Sequence, residues 1–123
     1  MSLKRWMRPL LIAAAAYVLL LAMKSRTDEQ AGQALVELAR PGDIVMLSSV
    51  TCRYCKSAHR FMTERAIPFS ECFIEHDAAC AASYRAQQSP GTPTLLVRGQ
   101  RLVGFDAAAV AQALAGNAAV SHP

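Results

Sequence analysis

The sequence carries little charge, since only 18% of its 123 residues are Asp, Glu, Lys or Arg. Of its 13 lysines and arginines, five lie before Thr27, which leaves eight against all nine acidic residues. The chain from residue 27 onward therefore lacks the basic surface that a nucleic-acid partner requires, and we expect no such partner. A disordered chain is also excluded, because 53% of the residues are hydrophobic.

The longest apolar run, residues 10–23, contains no charged residue. As a helix it would span roughly 21 Å, less than the roughly 30 Å core of a bilayer. Arg8 and Lys24 flank it and have side chains long enough to reach the headgroups of a short, tilted span. We predict a basic flank over residues 1–9 and a membrane anchor over residues 10–26. A cleaved signal peptide and a buried core helix stay open as alternatives.

The charges on either side of this run predict its orientation. Lys4, Arg5 and Arg8 precede it, whereas Lys24 and Arg26 follow it. The excess of positive charge at the N-terminal side favours an N-terminus in the cytoplasm. The remaining chain would then lie on the extracytoplasmic (periplasmic) side, where disulfides persist, and its four cysteines agree with that.

The rest of the chain has the pattern of one α/β domain, residues 27–116, followed by a flexible tail, residues 117–123. Short apolar runs indicate strands, and apolar residues at helical spacing indicate helices. The predicted helices cover residues 28–40, 53–66, 77–87 and 106–115, with Asp77 and Asp106 as N-caps and Gly116 as the last stop signal. The predicted strands cover residues 44–47, 69–75, 94–98 and 101–104, with a two-residue hairpin at Gly99 and Gln100.

Cys52 and Cys55 lie directly after a predicted strand and at the start of a predicted helix. At this spacing the two side chains can approach disulfide distance within the first helical turn. The free N–H groups and the dipole of the helix favour a thiolate at Cys52, which makes it the nucleophile. Cys55 lies one turn further on the apolar face and would resolve a mixed disulfide formed at Cys52.

Two other kinds of function stay open at this point. A C-x-x-C motif is also half of a zinc site, so a metal-binding or metal-relay module is an alternative. The sequence has no second C-x-x-C and no H-x-x-x-H, and its other cysteines, Cys72 and Cys80, are eight residues apart. A redox-inert module that presents the fold to a partner is a third hypothesis.

Four segments resemble the glutaredoxins of the thioredoxin superfamily: IVMLSS before the motif, then CRYC, GTPTLLV and VGFD. The resemblance covers roughly residues 29–115. It implies a mixed four-stranded sheet with flanking helices, here preceded by one transmembrane helix. It also implies thiol–disulfide oxidoreductase activity on protein or glutathione mixed disulfides, without a bound cofactor but with glutathione as a candidate co-substrate.

The same resemblance implies substrate-binding roles for residues outside the cysteine pair. Pro93 takes the place of a cis proline that faces the active-site disulfide, and Thr92 would offer its backbone to a peptide or to glutathione. The remaining implied substrate-binding residues are Arg53, Tyr54, Gly104, Phe105 and Asp106. The last three match the segment that holds the γ-glutamyl end of glutathione, although Asp106 is equally well interpreted as a helix cap.

The sequence departs from the glutaredoxin pattern at three positions. Ser49 replaces a lysine three residues before the first cysteine, Arg53 replaces a proline, and Val103 replaces the first glycine of a pair. Each change weakens the prediction of glutathione binding but leaves the redox pair intact.

Cys72 and Cys80 have three interpretations: a second disulfide, two buried thiols, or a relay pair. His59, four residues after Cys55, is predicted to be a solvated residue on the exposed face of its helix and not a general base.

Overall fold

The structure is a computed structural model that describes residues 2–120. The chain divides into two compact units, Met1–Gln30 and Ala31–Pro123. Each unit is described by itself below.

The first helix, α1, runs without a break over Leu3–Leu38. The sequence predicted an apolar segment over residues 10–26 and a helix over residues 28–40, and one continuous helix contains the first and most of the second. No glycine or proline lies between Lys24 and Gln30, so nothing there interrupts the backbone hydrogen bonds of a helix.

The part of α1 within the first unit exposes every described side chain. Trp6, Leu11 and Leu20, for example, are 72%, 67% and 65% exposed. The helix is long and apolar enough to cross a membrane, and an N-terminal signal sequence satisfies the same criterion. Exposed apolar surface of this extent is normally buried against a membrane or another protein, and this unit does not bury it by itself.

A mixed four-stranded sheet forms the centre of the second unit, as predicted. Its strands are β1 (Ile44–Ser48), β2 (Ser70–Phe73), β3 (Thr94–Val97) and β4 (Gln100–Val103). The spatial order is β2-β1-β3-β4, with β1 and β2 parallel and the other two pairs antiparallel.

Three helices flank the sheet: α2 (Arg53–Glu64), α3 (Ala78–Ala86) and α4 (Ala107–Val120). Helix α2 ends earlier than predicted, because Ala66 takes a left-handed conformation with φ of 54°. Asp77 caps α3 as predicted and accepts hydrogen bonds from the N–H groups of Ala79 and Cys80.

Gly116 does not end α4, contrary to the prediction. The residues after it are Asn, Ala, Ala and Val, and no proline follows to stop the helix before Val120. The predicted flexible tail therefore begins inside a helix at residues 117–120, and residues 121–123 lie outside the described part of the chain.

The hairpin between β3 and β4 turns one residue earlier than predicted. Arg98 and Gly99 form the turn with φ values of 48° and 86°, the left-handed pair that a tight two-residue hairpin requires. The Arg98 guanidinium donates to the Asp43 carboxylate at 3.1 Å and to the Leu114 carbonyl at 3.0 Å. The hydrogen bond from Arg98 lowers the pKa of Asp43.

The hydrophobic core includes the C-terminal end of α1. Ala31 and Leu35 of α1, and Ala39 directly after it, are buried in one cluster with residues of β1, α2, β3 and α4. The end of the first helix is therefore part of the α/β unit, and its apolar residues fill the core with those of the predicted strands.

The strand register brings three loops to one edge of the sheet. Leu47 near the end of β1 pairs with Thr94 at the start of β3, and Thr94 pairs with Val103 at the end of β4. The segments 49–52, 92–93 and 104–106 adjoin these residues, so the topology gathers them at the carboxyl end of β1.

Candidate active site

Cys52 and Cys55 form a disulfide at the start of α2, with their Cα atoms 5.2 Å apart. Cys52 is the N-cap of the helix and has an extended backbone. Its sulfur accepts a hydrogen bond from the Cys55 N–H at 3.0 Å. The structure therefore places the first cysteine where the sequence predicted it, at a helix start.

The two sulfurs differ in environment. Cys52 is half-buried, whereas Cys55 is 1% exposed and belongs to the buried face of α2. Arg53 and Lys56 are exposed and contribute positive charge near the helix start. An N-cap position with a backbone N–H donor and nearby cations favours a thiolate at Cys52, and a buried neighbour is shielded from outside reagents.

Glu75 holds the loop that leads into Cys52. Its carboxylate accepts a hydrogen bond from the Ser49 hydroxyl and a second from the Val50 N–H at 3.2 Å. The hydrogen bond from Ser49 is the main cause of a lowered pKa for Glu75. The position where glutaredoxins carry a lysine therefore has a hydroxyl bound to a carboxylate.

The Thr92–Pro93 peptide bond is cis, and Pro93 is buried. The Pro93 carbonyl accepts a hydrogen bond from the Gly104 N–H at 2.8 Å, which continues the β3–β4 pairing toward the site. Thr94, directly after it, is buried and donates its hydroxyl to the Gly91 carbonyl at 2.7 Å. The loop with Pro93 is thus fixed on both sides.

The other predicted substrate-binding residues fall into three environments. Arg53 and Tyr54 are exposed, the latter by 71%. The ring of Phe105 packs on Phe61 of α2 with centroids 5.3 Å apart. Asp106 accepts hydrogen bonds from backbone N–H groups at the start of α4, so it has the capping role that the sequence offered as one alternative.

Cys72 of β2 and Cys80 of α3 form a second disulfide, with Cα atoms 6.0 Å apart. Of the three interpretations of Cys72 and Cys80 that the sequence left open, the structure agrees with the second disulfide. Cys80 is 4% exposed, so the bond ties α3 to the edge strand from the inside.

We expect that replacing both Cys72 and Cys80 with serine lowers the free energy of unfolding by about 2.5 kcal/mol, because a short closed loop is released in the unfolded chain. Urea unfolding of the full-length protein in detergent, monitored by circular dichroism, measures the change. The comparison is made in a background with Cys52 and Cys55 replaced by serine, so that only one disulfide varies. Equal stability with and without the pair would contradict the expectation.

A cavity of about 680 Å³ lies between α2 and β2, and Cys55 is among its lining residues. His59 and Glu71 also line it, and His59 Nδ1 is 2.6 Å from a Glu71 carboxylate oxygen. The side chain of His59 is 54% exposed, as predicted, and its ring is in addition paired with the Glu71 carboxylate, which the sequence did not indicate. The partners are 12 residues apart in sequence, and they meet because His59 lies on α2 and Glu71 on the neighbouring strand β2.

Solved structures resemble part of this chain. A threonine-to-alanine mutant of the thioredoxin-like protein BC3987 superposes with a TM-score of 0.54 at 23% identity, over 60% of this chain and 96% of that one. The chain has a thioredoxin-like fold. The unmutated BC3987 protein gives a TM-score of 0.50 at 22% identity, over 57% of this chain and 97% of that one.

A mutated buckwheat glutaredoxin superposes with a TM-score of 0.48 at 14% identity, over 75% of this chain and 94% of the other. No protein-family model matches the sequence, and the comparison with curated proteins found no match.

Proposed function

We propose that this chain is a membrane-anchored thiol–disulfide oxidoreductase that uses the Cys52–Cys55 pair. The observation that carries the proposal is the position of Cys52. It caps a helix with its sulfur hydrogen-bonded to a backbone N–H, and it shares a disulfide with the buried cysteine one turn below. This arrangement suits a pair that alternates between dithiol and disulfide.

The proposed reaction has two balanced exchanges. The Cys52 thiolate attacks a sulfur of the substrate disulfide, forms a mixed disulfide, and expels the first substrate sulfur as a thiolate. Cys55 then loses its proton and attacks Cys52, which closes the Cys52–Cys55 bond and expels the second substrate sulfur. Two electrons pass from the enzyme dithiol to the substrate, and the same steps run in reverse oxidise a dithiol substrate.

The anchor and its orientation are further parts of the proposal. The apolar helix near the N-terminus would hold the protein in the membrane through residues 10–23. The charge distribution around it supports an extracytoplasmic location of the catalytic unit. A second, inward-facing disulfide at Cys72 and Cys80 agrees with an oxidising compartment.

The proposed substrates are disulfide-containing proteins, with glutathione as a second candidate. Pro93 and Thr92 lie at the same sheet edge as Cys52, where an extended peptide could pair with the backbone. Ser49 and Val50, in the loop before Cys52, bind the Glu75 carboxylate, and no lysine stands at position 49, which disfavours an anionic thiol such as glutathione. Protein disulfides are therefore the first choice.

The test is a turnover assay on the full-length protein in detergent, with dithiothreitol as reductant. The substrates are a disulfide-bonded peptide and the same peptide joined to glutathione. We expect turnover by the native protein and a loss of at least about 100-fold in Cys52→Ser. The double variant without Cys72 and Cys80 is the matched control and keeps its activity. Full activity of Cys52→Ser would refute the proposal.

Metal binding by the same cysteines gains no support from the geometry. Within residues 2–120, no group of three or more His, Cys, Asp or Glu side chains is arranged to hold a metal ion. We therefore propose no metal-relay function.

A further inference from the structure

The proposed exchange does not yet say which group accepts the proton of the Cys55 thiol. Cys55 must lose a proton before it attacks the mixed disulfide and must regain one when it leaves as a thiolate. Its residue is 1% exposed, so a buffer molecule cannot approach it freely from the bulk solvent. A group close to Cys55 that exchanges protons near neutral pH would remove this obstacle.

His59 is placed to meet that need. It follows Cys55 by four residues on α2, and side chains at this spacing lie next to each other on a helix. Both residues line the same cavity of about 680 Å³ between α2 and β2. The space is large enough to hold water between them, so a proton can pass through water from one to the other.

The imidazole ring is held in a defined orientation. Its Nδ1 is 2.6 Å from the Glu71 carboxylate, whose side chain is 11% exposed. Phe69 packs on the same ring edge-to-face, with centroids 5.5 Å apart and planes at 86°. Because Nδ1 is engaged by Glu71, Nε2 is the nitrogen left to exchange a proton.

The other charged groups around the cavity are less suited to this role. Helix α2 contributes Lys56, Arg60 and Glu64, and β2 contributes Glu71. Lysine and arginine hold their protons near neutral pH, and Glu64 lies nine residues after Cys55, near the far end of α2. Strand β1 carries no titratable residue, since its sequence is Ile-Val-Met-Leu-Ser.

We propose that His59, oriented by Glu71, accepts the proton of the Cys55 thiol during ring closure and returns it when the disulfide opens. This inference rests on the proposed oxidoreductase function. In ring closure the S–H bond of Cys55 breaks, the proton binds His59 Nε2, and the sulfur electron pair attacks Cys52. The substrate sulfur leaves with its electron pair, and solvent later takes the proton from the imidazolium.

The experiment follows the two exchanges separately in a single turnover. Reduced full-length protein in detergent is mixed with the disulfide-bonded peptide, quenched in acid at intervals, and the mixed disulfide is quantified by mass spectrometry. The variants are His59→Ala, His59→Gln and Glu71→Gln. His76→Gln is the matched control, because it removes an exposed histidine that does not line the cavity.

We expect all variants to form the Cys52 mixed disulfide at the native rate, which also shows that they are folded. Release by Cys55 at pH 7 falls at least about tenfold in His59→Ala and His59→Gln, and less in Glu71→Gln. The pH dependence of release shifts toward higher pH in the two His59 variants. Added imidazole restores release in His59→Ala and leaves the native rate unchanged, a result that a purely structural role would not give.

Native release rates and an unchanged pH profile in both His59 variants would overturn the inference while leaving the proposed function intact. Imidazole that accelerates the native protein and His59→Ala equally would overturn it as well. Absence of a mixed disulfide at Cys52 in the native protein would instead refute the proposed function, so the two failures are distinguishable.

Discussion

Replacing Cys55 with serine should trap the full-length protein as a covalent mixed disulfide with its substrate. Cys52 keeps its place at the start of α2 and can still attack, but the neighbouring thiol that completes the exchange is gone. An intramolecular thiol acts at an effective concentration far above that of any external thiol. We therefore expect release of a protein substrate to fall at least about 1000-fold.

Non-reducing electrophoresis and mass spectrometry of the quenched reaction measure the trapped species. Cys52→Ser is the opposing control, because it leaves no thiol at the helix start and should form no adduct. Ser57→Ala is the matched control for a change on the exposed face of α2 and should turn over normally. An adduct on Cys55 in the Cys52→Ser protein, together with none on Cys52 in the Cys55→Ser protein, would reverse the assigned roles.

These roles could be assigned from sequence because the information is local. A strand, a C-x-x-C motif and the start of a helix occupy adjacent residues, and the structure has each of them in that order. The hydrophobic pattern likewise indicated β1 and β3, because these buried strands are short apolar runs bounded by turn residues. Partial alternation indicated β2, and the hairpin turn indicated β4, since neither strand contains a fully buried residue. Element ends were less accurate, since conformations such as the left-handed Ala66 and Arg98 depend on tertiary contacts.

The surroundings of the cysteine pair could not be predicted in the same way. Glu75 meets Ser49 across 26 residues, and Glu71 meets His59 across 12. Both acidic residues belong to β2 or the turn after it, and they reach the site only because β2 pairs in parallel with β1. The sequence does not distinguish a carboxylate that binds a neighbouring side chain from one that only faces solvent. The pairing of the strands decides which of the two a given carboxylate is.

Helix α1 shows that a change of composition along the chain need not coincide with the end of a helix. The polar residues after Lys24 separate a lipid-compatible segment from an amphipathic one, yet all of them fit an α-helix. Leu35 near the end of α1 is 0% exposed and belongs to the core of the α/β unit. The last turns of the helix are thus a structural part of the catalytic unit, which is a testable claim.

Leu35→Ala should lower the free energy of unfolding of the α/β unit by about 3 kcal/mol, because it removes buried methyl groups and leaves a cavity. The neighbouring Val36 is 49% exposed, so Val36→Ala is the matched control and should cost less than about 0.5 kcal/mol. Urea unfolding of the full-length protein in detergent, monitored by near-ultraviolet circular dichroism, compares the two. Equal losses would mean that the end of α1 does not pack in the core, and truncation before Ala39 would then be tolerated.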